Sequence, residues 1–228
     1  HGRLMFIGWG VLAPLAIIIA RFFKVLPGQD WPRELDSLVW WRSHWVGQTV
    51  VCGLTVVGYL LVLPADVGAV GLHGWIGYAV LAGALLQVLF GVFRGSKGGP
   101  TDRTLRGHHY DMTPWRLAFE AVHKTVGYTT LGLAAVAILL GFWKANAPVW
   151  MWLFVAVWWP AVVAIFCALQ RRGMAVDTYQ AIWGDDPAHP GNRRPNPGWG
   201  VRRPGQLKGE THVRSDRGHG VRSSRPQL

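Results

Sequence analysis

The chain has 228 residues, half of them hydrophobic, with 14 Trp, 15% charged residues and a mean hydropathy of +0.20. That balance excludes an ordinary soluble domain and fits an integral membrane protein with a polar extension. The formal net charge of +11 is uneven: residues 171–228 hold eleven Lys and Arg against five Asp and Glu, so over half of the excess lies in the last quarter.

The first apolar run, Leu4–Phe23, opens almost at once after His1-Gly-Arg. The chain opens without an initiator Met at the edge of an apolar run, so it is expected to be a piece with residues upstream of it. Pro14 lies inside this run and is expected to bend its helix by removing one backbone bond. Four more runs follow: Trp45–Leu63, Leu72–Phe93, Phe119–Phe142 and Val149–Leu169. Each is near the roughly 20 residues a helix needs to cross a bilayer. Period-two alternation is missing, which argues against barrel strands. Trp40, Trp41, Trp45, Trp150 and Trp152 sit at run ends as interfacial anchors. The fold class expected is all-α and transmembrane, a four-helix bundle plus a fifth peripheral helix over residues 1–170.

Beyond position 170 the composition changes. Residues 171–228 form a basic Pro/Gly/Arg-rich tail, expected to be largely unstructured and drawn to anionic lipid rather than nucleic acid. The loops joining the runs carry Arg33, Arg42, Arg94, Lys97, Arg103, Arg106, Arg116, Arg171 and Arg172 on one side, and only Lys144 on the other. The positive-inside rule then places the first side, and the tail, in the cytoplasm.

Four histidines, His1, His44, His73 and His123, open successive runs. An imidazole near a membrane helix end needs a partner that lipid cannot supply, and haem iron is one that accepts two. Chain direction reverses at each crossing, so His1 and His73 share one side and His44 and His123 the other. Only those pairings put two rings at one depth. His73-x-x-x-Gly77-Tyr78 and His123-x-x-x-Gly127-Tyr128 repeat one pattern, with His44-Trp-Val-Gly47-Gln48 as a variant. A glycine one turn from the histidine removes a side chain that would strike a flat macrocycle. Two six-coordinate irons suit electron movement across the membrane rather than O₂ binding.

Other residues carry less. His108 and His109 beside Tyr110 and Asp111 read as solvated loop residues. Arg94, Lys97, Arg103 and Arg106 either enforce topology or pair with haem propionates or a small anionic reductant. Arg21 either snorkels or meets the inner propionates. Gly95–Thr101 lacks the spacing of a phosphate loop. Glu120 and Lys124 read as interfacial, Cys52 and Cys167 as lone apolar thiols, and His189, His212 and His219 receive no role.

His1-Gly-Arg-Leu-Met-Phe-Ile-Gly-Trp-Gly with Ala20-Arg21, His44-x-x-x-Gln48, His73-x-x-x-Gly77 and His123-x-x-x-Gly127 together resemble the cytochrome b561 domain over roughly residues 1–142. The likeness is greatest to bacterial b561-domain proteins and to those that follow an extracellular DOMON domain. It implies a bundle holding two b-type haems, with His1 and His73 for the non-cytoplasmic haem and His44 and His123 for the cytoplasmic one. It also implies a homodimer, a bacterial inner membrane, and electron flow from cytoplasmic ascorbate to monodehydroascorbate or ferric iron. The chain departs from the family in lacking its lysine-rich substrate site, so a quinol or a soluble redox protein is an alternative donor. Two readings compete with this one: a quinol-linked cytochrome b subunit anchoring a separate dehydrogenase, and a haem-free scaffold.

Overall fold

A computed structural model describes residues 1–63, 71–98, 110–195 and 200–204. Five long helices dominate: α1 Gly2–Phe22, α2 Leu38–Leu60, α3 Leu72–Val92, α4 Pro114–Lys144 and α5 Val149–Arg171. A short α6, Thr178–Trp183, and a 3-10 turn, Pro190–Arg193, follow. Among the described residues there is no β-strand, and only one isolated bridge, Val176 with Arg202, has strand-like pairing.

Helix α1 shows how sequence dictates local geometry in lipid. Pro14 lacks an N–H, so the Gly10 carbonyl four residues back loses its helical donor. Phe6–Leu12 adopts a π-helical turn, in which Ala13 N–H reaches back to Gly8. The freed Gly10 carbonyl accepts from two indoles of α5, Trp158 Nε1 at 3.0 Å and Trp159 Nε1 at 3.2 Å. A defect that water would repair elsewhere is here repaired by a neighbouring helix. α5 carries its own internal proline, Pro160, which the sequence reading passed over.

Capping places two of the helix starts earlier than the apolar runs do. Ser37 Oγ accepts from Val39 N–H at 3.3 Å, and Thr113 Oγ1 accepts from Arg116 N–H at 3.2 Å with Pro114 at the first helical position. α2 and α4 therefore begin seven and five residues before the expected runs. α4 reaches 31 residues, about 46 Å at 1.5 Å per residue, and so projects beyond a hydrocarbon core of about 30 Å. Four helices, α1, α3, α4 and α5, are long and apolar enough to span a membrane. The fifth, α2, has the length at 23 residues but less apolarity, because Arg42, Ser43, His44, Gln48 and Thr49 crowd its first half.

α1 packs on α2 and α3 packs on α4, with α1 also meeting α4. Their shared core comprises Trp9, Ala13, Val51, Val80, Ala134, Ile138 and Phe142, with Val155 from α5. Close approach of α3 to α4 requires Gly83, where a Cβ would strike the Thr130 side chain. α5 lies outside this bundle, against α1, and leaves Val149, Leu153, Val157 and Val163 exposed, as lipid-facing residues should be.

The segment after α5 is more ordered than a tail was expected to be. Residues 174–183 are nearly all buried, and Asp177 pairs with Arg203 at 2.6 Å. The rest of the expected tail, residues 196–199 and 205–228, lies outside the described residues, as do His108, His109, Arg103, Arg106, His212 and His219.

Candidate functional site

The four histidines meet two by two. His1 and His73 have ring centroids 6.2 Å apart, at an interplanar angle of 89°. His44 and His123 lie 6.1 Å apart at 78°. Neither residue of the second pair is at a helix mouth, because capping starts α2 at Leu38 and α4 at Pro114.

Two helices set the spacing of the pairs. His1 Nδ1 lies 2.9 Å from the Gly58 carbonyl of α2, and His73 Nδ1 lies 2.9 Å from the Ala137 carbonyl of α4. Gly58 is fourteen residues after His44, and Ala137 fourteen after His123. Both helices thus rise about 21 Å between the pairs, which keeps each pair level.

A carbonyl oxygen only accepts, so Nδ1 of His1 and of His73 must carry the proton. Each ring then turns an unprotonated Nε2 lone pair away from its carbonyl. The Gly58 carbonyl is one of the last four of α2, which lack a helical donor, so His1 also caps that helix. The Ala137 carbonyl points along α4 toward Gly141, where an added Cβ would sit 3.0 Å from His73 Cε1. Gly141 is therefore the notch through which His73 reaches the α4 backbone. At the other end, His44 Nδ1 and His123 Nδ1 are buried without a hydrogen bond of adequate geometry, although the Ala16 backbone lies beside the His44 ring. Phe119 lies against the His123 ring at 4.9 Å.

The glycines one turn along differ in their surroundings. Gly77 faces nothing within 4 Å, so the space beside His73 is open. Gly127 meets Gln87 Nε2, which donates to the His123 carbonyl at 2.8 Å. Gly47 packs on Ala16 of α1, and Gln48 Nε2 reaches the Ala13 carbonyl at 3.5 Å. Between the two pairs, Trp9 Nε1 donates to Thr55 Oγ1 at 2.9 Å, which satisfies a buried indole inside the bundle.

The family described as eukaryotic cytochrome b561 matches residues 1–148, more than half of the chain. The chain belongs to the cytochrome b561 family. Ferric-chelate reductase 1 of Bos taurus is 29% identical over 152 residues, covering 64% of this chain and 24% of that protein. Putative ferric-chelate reductase 1 of Xenopus laevis is 30% identical over 145 residues, 60% of this chain and 23% of that one. A cytochrome b561 and DOMON domain-containing protein of Arabidopsis thaliana is 26% identical over 162 residues, 69% of this chain and 34% of that one. The chain spans about a quarter of the length of the ferric-chelate reductases it matches. No solved structure matches it. Membership makes the chain an integral membrane protein of a helical-bundle family whose cofactor is b-type haem.

The cytochrome b561 residues fit that cofactor. An imidazole nitrogen binds a metal at about 2.0 Å and lies roughly 1.1 Å from its ring centre, so two imidazoles on one metal should have centroids about 6.2 Å apart. The pairs at 6.2 and 6.1 Å meet that spacing. The Nδ1–H bonds of His1 and His73 to backbone carbonyls are of the kind that would fix the tautomer of an imidazole holding a metal through Nε2.

The cations of the second end are largely engaged within the protein. Arg21 donates from Nε and Nη2 to Gln170 Oε1 at 3.2 and 2.9 Å, a partner on α5 that the sequence reading did not foresee. The Arg94 guanidinium sits 4.2 Å over the Trp41 ring, and the Lys97 ammonium 5.4 Å over Trp183. Glu120 joins Arg116 at 3.4 Å to Lys124 at 3.6 Å. Sequence reasoning also missed Lys24, which is buried and donates to the Arg21 and Val176 carbonyls at 3.2 and 3.1 Å. Burial, with Lys124 nearby, lowers its pKa to about 8.

Proposed function

We propose that this cytochrome b561 moves electrons across the membrane between two bis-histidine b-type haems. His1 and His73 would hold the outer haem, and His44 and His123 the inner one. The observation that carries the proposal is the spacing of both ring pairs, near the value a shared metal requires. Haem bound at these positions supplies one-electron cycling between ferric and ferrous iron.

The chain's own residues do the rest. At the outer end the Gly58 and Ala137 carbonyls accept from Nδ1–H of His1 and His73, which leaves Nε2 of each ring to hold a metal. Two histidines at each haem would leave no position open to O₂. Trp9, Val51, Val80, Ala134 and Ile138 fill the space between the pairs and keep water out. The positive-inside rule puts the His44–His123 end in the cytoplasm, since Arg94, Lys97, Arg116, Arg171 and Arg172 lie there. The donor is a small cytoplasmic reductant, and the acceptor on the other side is a ferric chelate, as the names of the matched reductases support.

A pyridine haemochrome assay on purified protein tests the stoichiometry, with two haem b per chain expected. His44→Ala or His123→Ala should each remove one haem, and the double substitution no more. Loss of both haems from one substitution would sink the independent pairs, and a colourless protein would sink the whole reading.

A further inference from the structure

We propose that residues 174–195, together with 200–204, form a latched cover over the His44–His123 end, which admits small reductants and excludes protein-sized ones. This rests on the haem reading above, but the residues concerned lie outside the stretch that matches the family.

The latch is internal to the segment. Asp177 Oδ2 accepts from Arg203 Nε at 2.6 Å, and the two side chains are 3% and 4% exposed. A second Arg203 nitrogen donates to the Arg194 carbonyl. Asp177 Oδ1 also accepts from Tyr179 N–H at 3.2 Å and starts α6. Backbone bonds reinforce the pair, from Asp177 N–H to Arg202 O at 2.8 Å and from Arg202 N–H to Ala175 O at 2.7 Å.

The segment is tied to the bundle near the end of α1 and to the α3–α4 connection at Lys97 and Tyr110. Lys24 Nζ donates to the Val176 carbonyl, and Ala175 packs with Ile18, Phe22 and Val162. Trp183 Nε1 donates to the Lys97 carbonyl at 3.3 Å. Tyr179 Oη donates to the Tyr110 carbonyl at 2.7 Å, and the Tyr110 ring lies between Trp183 and His189 at 5.1 and 4.5 Å.

Beside the cover is an open cleft of about 260 Å³, lined by Asp36, Trp40, Trp41, Arg94, Lys97 and Arg116, with Ile182 the one cover residue on its wall. Trp40 is one turn before His44, and Arg116 two turns before His123, so the cavity adjoins that end of the bundle. Its volume falls below the roughly 300–1,000 Å³ of drug-sized pockets. On the proposal, a small molecule enters this cleft, while the cover holds a protein surface away from it. Removing one charge of the latch strands the other in a buried site, and relief comes by lifting the segment.

The test uses holoprotein in lipid nanodiscs, comparing the parent with Asp177→Ala and with Tyr179→Phe/Trp183→Phe. Hydrogen exchange over 174–195 reports the cover. Stopped-flow reduction of ferric haem reports access, with dithionite or reduced flavodoxin as the probe. Each ferric haem takes one electron, from the sulfur dioxide radical anion or from the flavin, which is oxidised in the same step. The His1–His73 end contributes equally in all variants. Expected are exchange in the cover faster by about tenfold, unchanged exchange in α1–α4, and a flavodoxin rate up by about tenfold while dithionite changes by less than about twofold. An unmoved flavodoxin-to-dithionite ratio in a variant whose cover exchanges fast overturns the proposal, as does unchanged exchange in both variants. Protein without haem overturns the haem reading instead, and the exchange data alone then decide whether the cover is latched.

Discussion

Gly141→Ala separates a site built for a ligand from an incidental meeting of two rings. The added methyl would lie 3.0 Å from His73 Cε1, against the 3.4–4 Å of ordinary contact, so the ring must retreat by several tenths of an ångström. The ring cannot retreat freely, because Nδ1 is tied to the Ala137 carbonyl on the same helix. Overpacking of this kind costs about 1–3 kcal/mol. If that cost falls on the liganded state, affinity at the outer site drops about 5- to 150-fold, at 1.4 kcal/mol per decade. Transfer of haem to excess apomyoglobin, followed at the Soret band, should show one of two haems leaving faster, with the His44–His123 haem as internal reference. Gly132→Ala on the same helix is the control, since nothing lies within 4 Å of its new methyl. Equal haem retention in the two variants would refute the claim that Gly141 seats His73.

Two further outcomes follow from the same geometry. Trp158→Phe should cost little, because Trp159 still donates to the Gly10 carbonyl, whereas Trp158→Phe/Trp159→Phe strands that carbonyl and should lower thermal stability by about 1–3 kcal/mol. Simple additivity of the two single substitutions in a melting series would contradict the shared acceptor. Burial lowers the folded pKa of Lys24 to about 8 against an ordinary 10.5 in the unfolded chain, so between those values the unfolded chain holds the extra proton. Stability should therefore rise with pH across that window, by up to about 3 kcal/mol. Thermal melts from pH 7.5 to 10.5 should show this rise in the parent and lose it in Lys24→Met; a rise of equal size in both would remove Lys24 as its cause.

Much of the bundle was legible because lipid simplifies the rules. Long apolar runs must be helices, and reversal of direction at each crossing assigns His1 and His73 to one end and His44 and His123 to the other. Pro14 was legible for the same reason, as a proline in an apolar helix frees a carbonyl wherever it occurs. Helix starts were misjudged where capping, and not hydropathy, sets them: Ser37 and Thr113 begin α2 and α4 well before the apolar runs. The burial of residues 174–183 was not legible, because it comes from a few specific pairs, Asp177 with Arg203 and Tyr179 with the Tyr110 carbonyl, and not from apolar periodicity.

The amino-acid order alone determined which elements form, how they alternate across the membrane and which imidazoles share a depth, since those follow from periodicity and chain reversal. Tertiary structure decided which backbone holds each ring. Gly58 lies 57 residues from His1, and Ala137 lies 64 from His73, separations over which no local rule operates. Whether two groups so far apart in sequence come within 3 Å depends on how helices pack, and packing is set by all their side chains together.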